Sequence, residues 1–212
     1  MKGENAMSIQ SQIHKFGATI LQNLPDVPED KMQDWIEDPR RLQEFLSGLC
    51  RPTEFKVFKT IKLGTGPKNA DDFRKSLKDN GFRISNRADD ILGKPAFSVA
   101  EEKTEVDLVV ASVAELGFNQ GATREQIYTR AQGRGLQLSP NEVGPQLRSQ
   151  HKGQPNGERL IIGMEPITGS AGYLGLFSVE HDGDGLWLDS YYVYPGTVWY
   201  GSTRFVFVLP RK

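Results

Sequence analysis

Leu186-Trp187-Leu188-Asp189-Ser190-Tyr191-Tyr192-Val193-Tyr194 follows Asp182-Gly183-Asp184-Gly185, and this stretch decides the fold. The Asp/Gly cluster is what a tight hairpin turn requires, and an aromatic, β-branched run on each side of it reads as a strand. The run before the turn is Tyr173–Val179, itself preceded by the turn Gly169-Ser170-Ala171-Gly172. Further out, Leu160, Ile161, Ile162 and Met164 mark another strand, and Phe205–Leu209 alternates Phe205 and Phe207 with Val206 and Val208. Upstream, Val106, Leu108, Val109, Val110 and Val113 form a strand-like run, and two helical patterns follow. Thr123 caps the first, with Gln126 completing a capping box, Ile127, Tyr128 and Ala131 on the apolar face, and Gly133 and Gly135 as the stop. Ser139 or Asn141 caps the second, which carries Val143 and Leu147 and runs to about Gln150. Strand, two helices, then four or more strands predicts an α+β domain with a largely antiparallel sheet.

The first hundred residues read differently. Ile9, Ile13, Phe16, Ile20, Leu21 and Leu24 recur at helical spacing, which predicts an amphipathic helix over Ser8–Leu24. Pro25 and Pro28 end it; a short helix begins at Glu29 or Asp30 and runs to Trp35, and a third spans Pro39–Leu49. A helical bundle or dimerisation arm is expected there. After Arg51-Pro52, the segment Phe55–Leu63 is extended. The turn Gly64-Thr65-Gly66-Pro67 lacks the phosphate-loop pattern, and Pro67 removes a backbone donor. A helix from Asn69 or Ala70 to Lys78 stops at Gly81, and Ser85 caps another that runs to Leu92 and Gly93. The expected organisation is a helical N-terminal region over 1–52, a small helical adaptor over 53–100 and the α+β domain over 101–212.

The 212 residues are 37% hydrophobic and 25% charged with a net charge of −1, so no basic excess announces a nucleic-acid binder. No apolar run reaches the roughly 18–20 residues of a membrane span. The opening MKGENAMSIQ carries no secretory signal core. Cys50 is the single cysteine, so no intrachain disulfide forms; its expected role is a small buried apolar residue. A cytoplasmic location is compatible with these features, without being fixed by them.

A search for chemistry is short. His181, Asp182 and Asp184 lie together, but the third acid and the later glutamate of a calcium loop are missing, and a hairpin turn accounts for the aspartates. No Cys/His ligand spacing and no G-x-S-x-G elbow occurs. Ser178, His181 and Asp189 are near in sequence, as any such trio within a dozen residues would be. Neither enzyme activity nor a cofactor or metal is expected. The pair of helices over 123–150 invites a helix-turn-helix reading, which gives the alternative of a DNA-associated regulatory protein. Its basic residues Arg148, His151 and Lys152 fall at the C-terminal end of the second helix, whereas a recognition helix reads bases from its N-terminal part.

The tail offers more. Five of six tyrosines follow Gly172, and with Ser, Thr, Gly and Trp they make the chemistry of adaptable binding surfaces. Adjacent strand residues face opposite ways, so Tyr191 and Tyr192 cannot both be core, nor can Trp199 and Tyr200. Between Pro166 and Pro210, only Glu180, Trp187 and Trp199 belong to the set Lys, Glu, Gln, Met and Trp. The whole chain has 46 such residues, so roughly ten would be expected at its average composition. Those five types are the ones an Asn codon cannot reach when only its two adenines change.

Five segments carry a resemblance over about Lys59 to Lys212: Thr60–Gly66, Ala70–Lys75, Asp90–Phe97, Glu142–Arg148 and Gly163–Ile167. They resemble the variable proteins of diversity-generating retroelements, of the candidate-phylum bacterial type. The resemblance implies a C-type-lectin-like fold whose C-terminal surface is rewritten by adenine-directed mutagenic reverse transcription. It implies a fixed frame of Trp187, Pro195, Trp199, Phe205 and Phe207. Ser190, Tyr192, Val193, Tyr194, Thr197, Tyr200, Ser202, Thr203 and Arg204 would then be the exposed, exchangeable ligand surface. Gln154-Pro155-Asn156 is similar to a lectin calcium tripeptide, but it precedes the strand-rich part, so no calcium is expected. The expected partner is a protein or other macromolecule, with homo-oligomerisation compatible because repeated weak sites gain avidity. Neither nucleic acid nor a membrane is expected.

Overall fold

A computed structural model describes residues 9–22, 28–42, 55–194 and 196–211. The chain divides into two compact units, Met1–Pro52 and Thr53–Lys212. In the first, α1 spans Ile9–Gln22 and α2 spans Glu29–Glu37, with Glu29 and Asp30 placing negative charge at the positive end of the helix dipole. Residues 39–42 are again helical. The rest of the expected third helix, with Cys50, lies outside the described residues.

The second unit is α+β. Its main sheet runs β1-β3-β10-β5-β7-β8-β2, with β6 (Ile167–Thr168) pairing β7 beside that path. The strands are β1 Lys59–Leu63, β2 Arg83–Ile84, β3 Thr104–Ser112, β5 Arg159–Ile162, β7 Leu174–Asp182, β8 Gly185–Val193 and β10 Arg204–Leu209. Pairing is antiparallel except at β10–β5 and β2–β8. The last strand inserts at the centre, between β3 and β5. A separate two-stranded ribbon joins β4 (Ala122–Thr123) to β9 (Val198–Trp199).

The helices are α3 (Ala70–Asp79), α4 (Asn86–Leu92), α5 (Arg124–Gly133) and α6 (Val143–Gln150). Asn69 and Ser85 cap α3 and α4 through their side chains, and the Thr123–Gln126 capping box closes the start of α5. The start of α6 differs from expectation. Its N-cap is Glu142, and neither Ser139 nor Asn141 caps it. Their polar atoms serve longer-range contacts instead: Ser139 Oγ donates to the Val206 carbonyl, and Asn141 bonds both the Ala96 carbonyl and the Ser98 N–H.

Glu142 shows why residues 53–100 share one unit with the rest. It is buried, and its carboxylate accepts from Gly64 N–H and Ala100 N–H, both at 2.8 Å, and from Gln146 at 2.9 Å. A carboxylate out of water needs such donors, so the start of α6 holds that segment at Gly64 and at its end, Ala100. The segment adds β1 to one edge of the sheet and β2 to the other. Gln150 covers the β1 edge, its amide bonding Lys62 N–H and C=O at 2.9 Å each.

Apolar packing covers both faces. Phe177 meets α6 where Gly144 leaves room: a Cβ on Gly144 would lie 2.6 Å from that of Phe177. An aromatic row, Phe73–Phe97–Phe177, extends this layer to α3. On the opposite face Tyr128 of α5 meets Phe205 and Phe207 edge-on, at 6.4 and 6.0 Å. Its hydroxyl donates to the Met164 carbonyl at 2.8 Å, and burial pushes its pKa up.

Candidate functional site

Opposed residues of an antiparallel pair share a face. Along β7 and β8, Phe177 opposes Ser190 and Val179 opposes Leu188, all turned towards the helical layer. Leu176 opposes Tyr191, and Leu174 opposes Val193, on the other side. This period sorts the expected exchangeable residues. Ser190 is 1% exposed and Val193 4% exposed, so neither belongs to a ligand surface. Ser190 is enclosed because it sits beneath α4: a Cβ on Gly175 would meet Ser190 Oγ at 2.9 Å and Ile91 at 3.0 Å. Tyr192 is half-buried, its ring 4.0 Å from that of Tyr173 and 5.2 Å from the Arg87 guanidinium. Tyr194 is exposed at the end of this cluster.

The remaining five, Thr197, Tyr200, Ser202, Thr203 and Arg204, come together around a cavity of about 620 Å3. Tyr191, Val198 and Ile161 join them, and Pro155–Arg159 forms the facing wall. Tyr200 is 80% exposed and Val198 56% exposed. Beneath them Trp199 is buried, its ring 5.0 Å from Tyr191 and 5.1 Å from Phe205. Among the described residues its indole N–H has no hydrogen-bond partner, so ring packing and the β4–β9 ribbon hold it. Phe205 and Phe207 are buried and stacked at 6.0 Å, which places Trp199, Phe205 and Phe207 in a scaffold beneath the rim. Trp187 is only half-buried, at the far end of β8. Pro195 lies outside the described residues.

Two arginines face this cavity, each held at one edge of its guanidinium. Arg159 Nε bonds Glu180 at 2.8 Å, and its charge lies 5.7 Å from the Tyr191 ring. Arg204 bonds Glu158 at 2.6 Å. A guanidinium has five N–H donors in a planar fork, so both keep donors for a ligand. Behind Glu158 stands His151 at 3.6 Å, with its ring edge-on to Phe58. Burial lowers the His151 pKa below the ordinary imidazole value, against the opposing pull of Glu158.

The Pro155–Arg159 wall was not assigned to the ligand surface from the sequence: Pro155-Asn156 stood out only as part of a tripeptide, and strand pairing across distant segments brings the wall to the cavity. Tyr191 was within reach: the alternation that separates it from Tyr192 gives one of the two an open face, and the register decides which.

The trio Ser178, His181 and Asp189 does not converge. Ser178 Oγ donates to Glu180, His181 Nδ1 meets the Gln154 carbonyl at 2.5 Å, and Asp189 accepts from Ser85 and Arg87. Asp182 serves the turn, accepting from Asp184 N–H at 2.9 Å and from the Trp187 indole at 3.0 Å. Among the described residues no three His, Cys, Asp or Glu side chains cluster as metal ligands, and no helix is long and apolar enough to cross a membrane. Gln154 is buried and spends its amide on the carbonyls of Val179 and Glu158 and on Arg148. Arg148 is fully enclosed, bonded to Gln154 and to the carbonyls of Glu180 and His151, and burial lowers its pKa to about 10. It therefore has no surface to offer a DNA phosphate.

Comparison with protein-family models, with curated proteins and with solved structures finds no match for this chain.

Proposed function

We propose that this chain is a non-catalytic ligand-binding protein with a C-type-lectin-like second unit, whose C-terminal surface is diversified by adenine-directed mutagenic reverse transcription. The observation that carries the reading is the rim of the cavity lined by Thr197–Arg204. Five residues expected to be exchangeable meet there over the buried Trp199 and Phe205, so side chains can be replaced without touching the core. Exposed tyrosines and a fork-bearing arginine on a fixed scaffold are what a protein-binding surface needs: large contact area, little side-chain entropy to lose, and adaptable hydrogen bonding. The tail's poverty in Lys, Glu, Gln, Met and Trp supports the mutagenic part. The ligand-facing set becomes Tyr191, Tyr194, Thr197, Val198, Tyr200, Ser202, Thr203 and Arg204; Ser190 and Val193 move into the core, and Tyr192 drops out because it packs on Tyr173 on the other face of the sheet.

The gene itself provides the test. Downstream of it, a near-copy of the codons for residues 166–210 is expected, differing at adenines, together with a reverse-transcriptase gene. The differences should fall in the codons of the rim and spare those of Ser190 and Val193. Absence of the repeat and of the reverse transcriptase rules out the diversification; differences concentrated in core codons rule out the rim as its target.

A further inference from the structure

A second cavity, of about 550 Å3, opens at the other edge of the sheet, where α3, β2 and the half-buried Trp187 meet. Its floor is apolar, made by Phe82, Ile84 and Trp187. The indole is fixed by its N–H bond to Asp182, and the Arg83 guanidinium lies 5.2 Å from the centre of its ring. Three cations line the walls, and they are not equivalent. Arg74 is neutralised by Asp71 at 2.7 Å and Asp89 at 2.5 Å. Lys78, in the last turn of α3, and Arg83, in β2, are exposed and have no carboxylate at ion-pair distance among the described residues. Asp182 is close enough to feel the Arg83 charge, but its Oδ1 is engaged by the Trp187 and Asp184 N–H groups. Asp89, the one acid in the lining, is spent on Arg74. Lys78 and Arg83 therefore stand over an apolar floor without an ion pair of their own, with Asp182 offsetting part of the Arg83 charge.

We propose that this cavity binds a small organic phosphate monoester carrying a flat apolar group. The phosphate, close to a dianion at neutral pH, meets two cations that hold no ion pair of their own, with Arg83 offering a fork and Lys78 a point charge. The flat group rests on Ile84, Phe82 and the exposed part of Trp187. A carboxylate carries half the charge and leaves one cation unanswered. This site is independent of the ligand rim and does not depend on how that rim is used.

Calorimetric titration of the full chain with phenyl phosphate tests the proposal, with inorganic phosphate, benzoate and phenol as comparison probes. Phenyl phosphate is expected to bind more tightly than benzoate or inorganic phosphate, and phenol not at all. Lys78→Gln and Arg83→Gln are each expected to weaken phenyl phosphate binding about tenfold or more, since each removes a charged donor. Both side chains are exposed, so the fold survives either change. Tyr200→Ala, on the other cavity, is expected to leave that affinity unchanged. Absence of binding at millimolar phenyl phosphate, equal affinity for benzoate, or insensitivity to both substitutions overturns the proposal.

Discussion

The stretch Asp189–Tyr194 and the stretch Thr197–Arg204 have the same kind of composition, tyrosines among small polar residues, yet the fold uses them in opposite ways. The first is a strand in mid-sheet, so period two commits every other side chain to one packed face or the other. Ser190 and Val193 are core there, Asp189 and Tyr192 are half-buried, and Tyr191 and the terminal Tyr194 are exposed. The second stretch holds only two strand residues before β10 begins at Arg204, and between them its chain runs over the surface. Thr197, Val198, Tyr200, Ser202, Thr203 and Arg204 all reach one cavity, with Trp199 alone turned inward. Composition shows that a region is rich in binding chemistry; which residues can use it depends on how tightly the backbone is committed.

Mutations can break or sharpen this contrast. The largest effect is expected in the shared scaffold: Phe205→Ala removes a buried ring that touches Trp199, Tyr128 and Phe207, and should cost about 3–5 kcal/mol in urea unfolding. Next comes the same substitution placed on the two stretches. Tyr at position 190 must displace Ile91 and Gly175 and should cost about 1–3 kcal/mol or more, whereas Tyr at the exposed position 202 should change stability by less than about 0.5 kcal/mol. Equal costs would erase the distinction. Also below the cost at position 190 is Arg204→Ala, whose partly exposed pair with Glu158 should contribute about 0.2–1 kcal/mol, less in high salt.

A pH effect singles out the wall behind the cavity. The His151 pKa is lowered by folding, so the unfolded chain binds its proton more readily. Stability is therefore expected to fall as pH drops below the ordinary imidazole range near 6.5 and to level off above it. His151→Asn should flatten this slope in thermal unfolding followed between pH 5 and 7; an unchanged slope would assign the effect to other groups.

Much of this architecture was legible in the chain. The Asp182–Gly185 turn, the two side-chain caps at Asn69 and Ser85 and the Thr123–Gln126 box are local chemistry, and local chemistry can be read from a window of a few residues. What escaped depends on distant segments. The two-residue strands β2, β4, β6 and β9 have no periodicity of their own and exist because a neighbour pairs with them. The polar side chains of Asn141 and Ser139 looked like caps but answer to residues 96, 98 and 206. Arg148 looked like a surface cation at a helix end, and the sheet closes over it. In the candidate site, composition marked the tail as rich in binding chemistry, and the resemblance implied Thr197, Tyr200, Ser202, Thr203 and Arg204 as exchangeable positions. The burial of Ser190 was not, since strand alternation gives the period and leaves open which phase faces the core.

Two libraries sorted for folded protein measure the central contrast most directly. One randomises the codons for Tyr194, Thr197, Val198, Tyr200, Ser202, Thr203 and Arg204; the other randomises those for Leu188, Ser190, Val193 and Trp199. The first is expected to yield mostly folded clones with unfolding midpoints close to the parent, and the second to lose nearly all of them. Similar losses in both, or a first library that retains only the parental residues, would contradict a surface built for exchange.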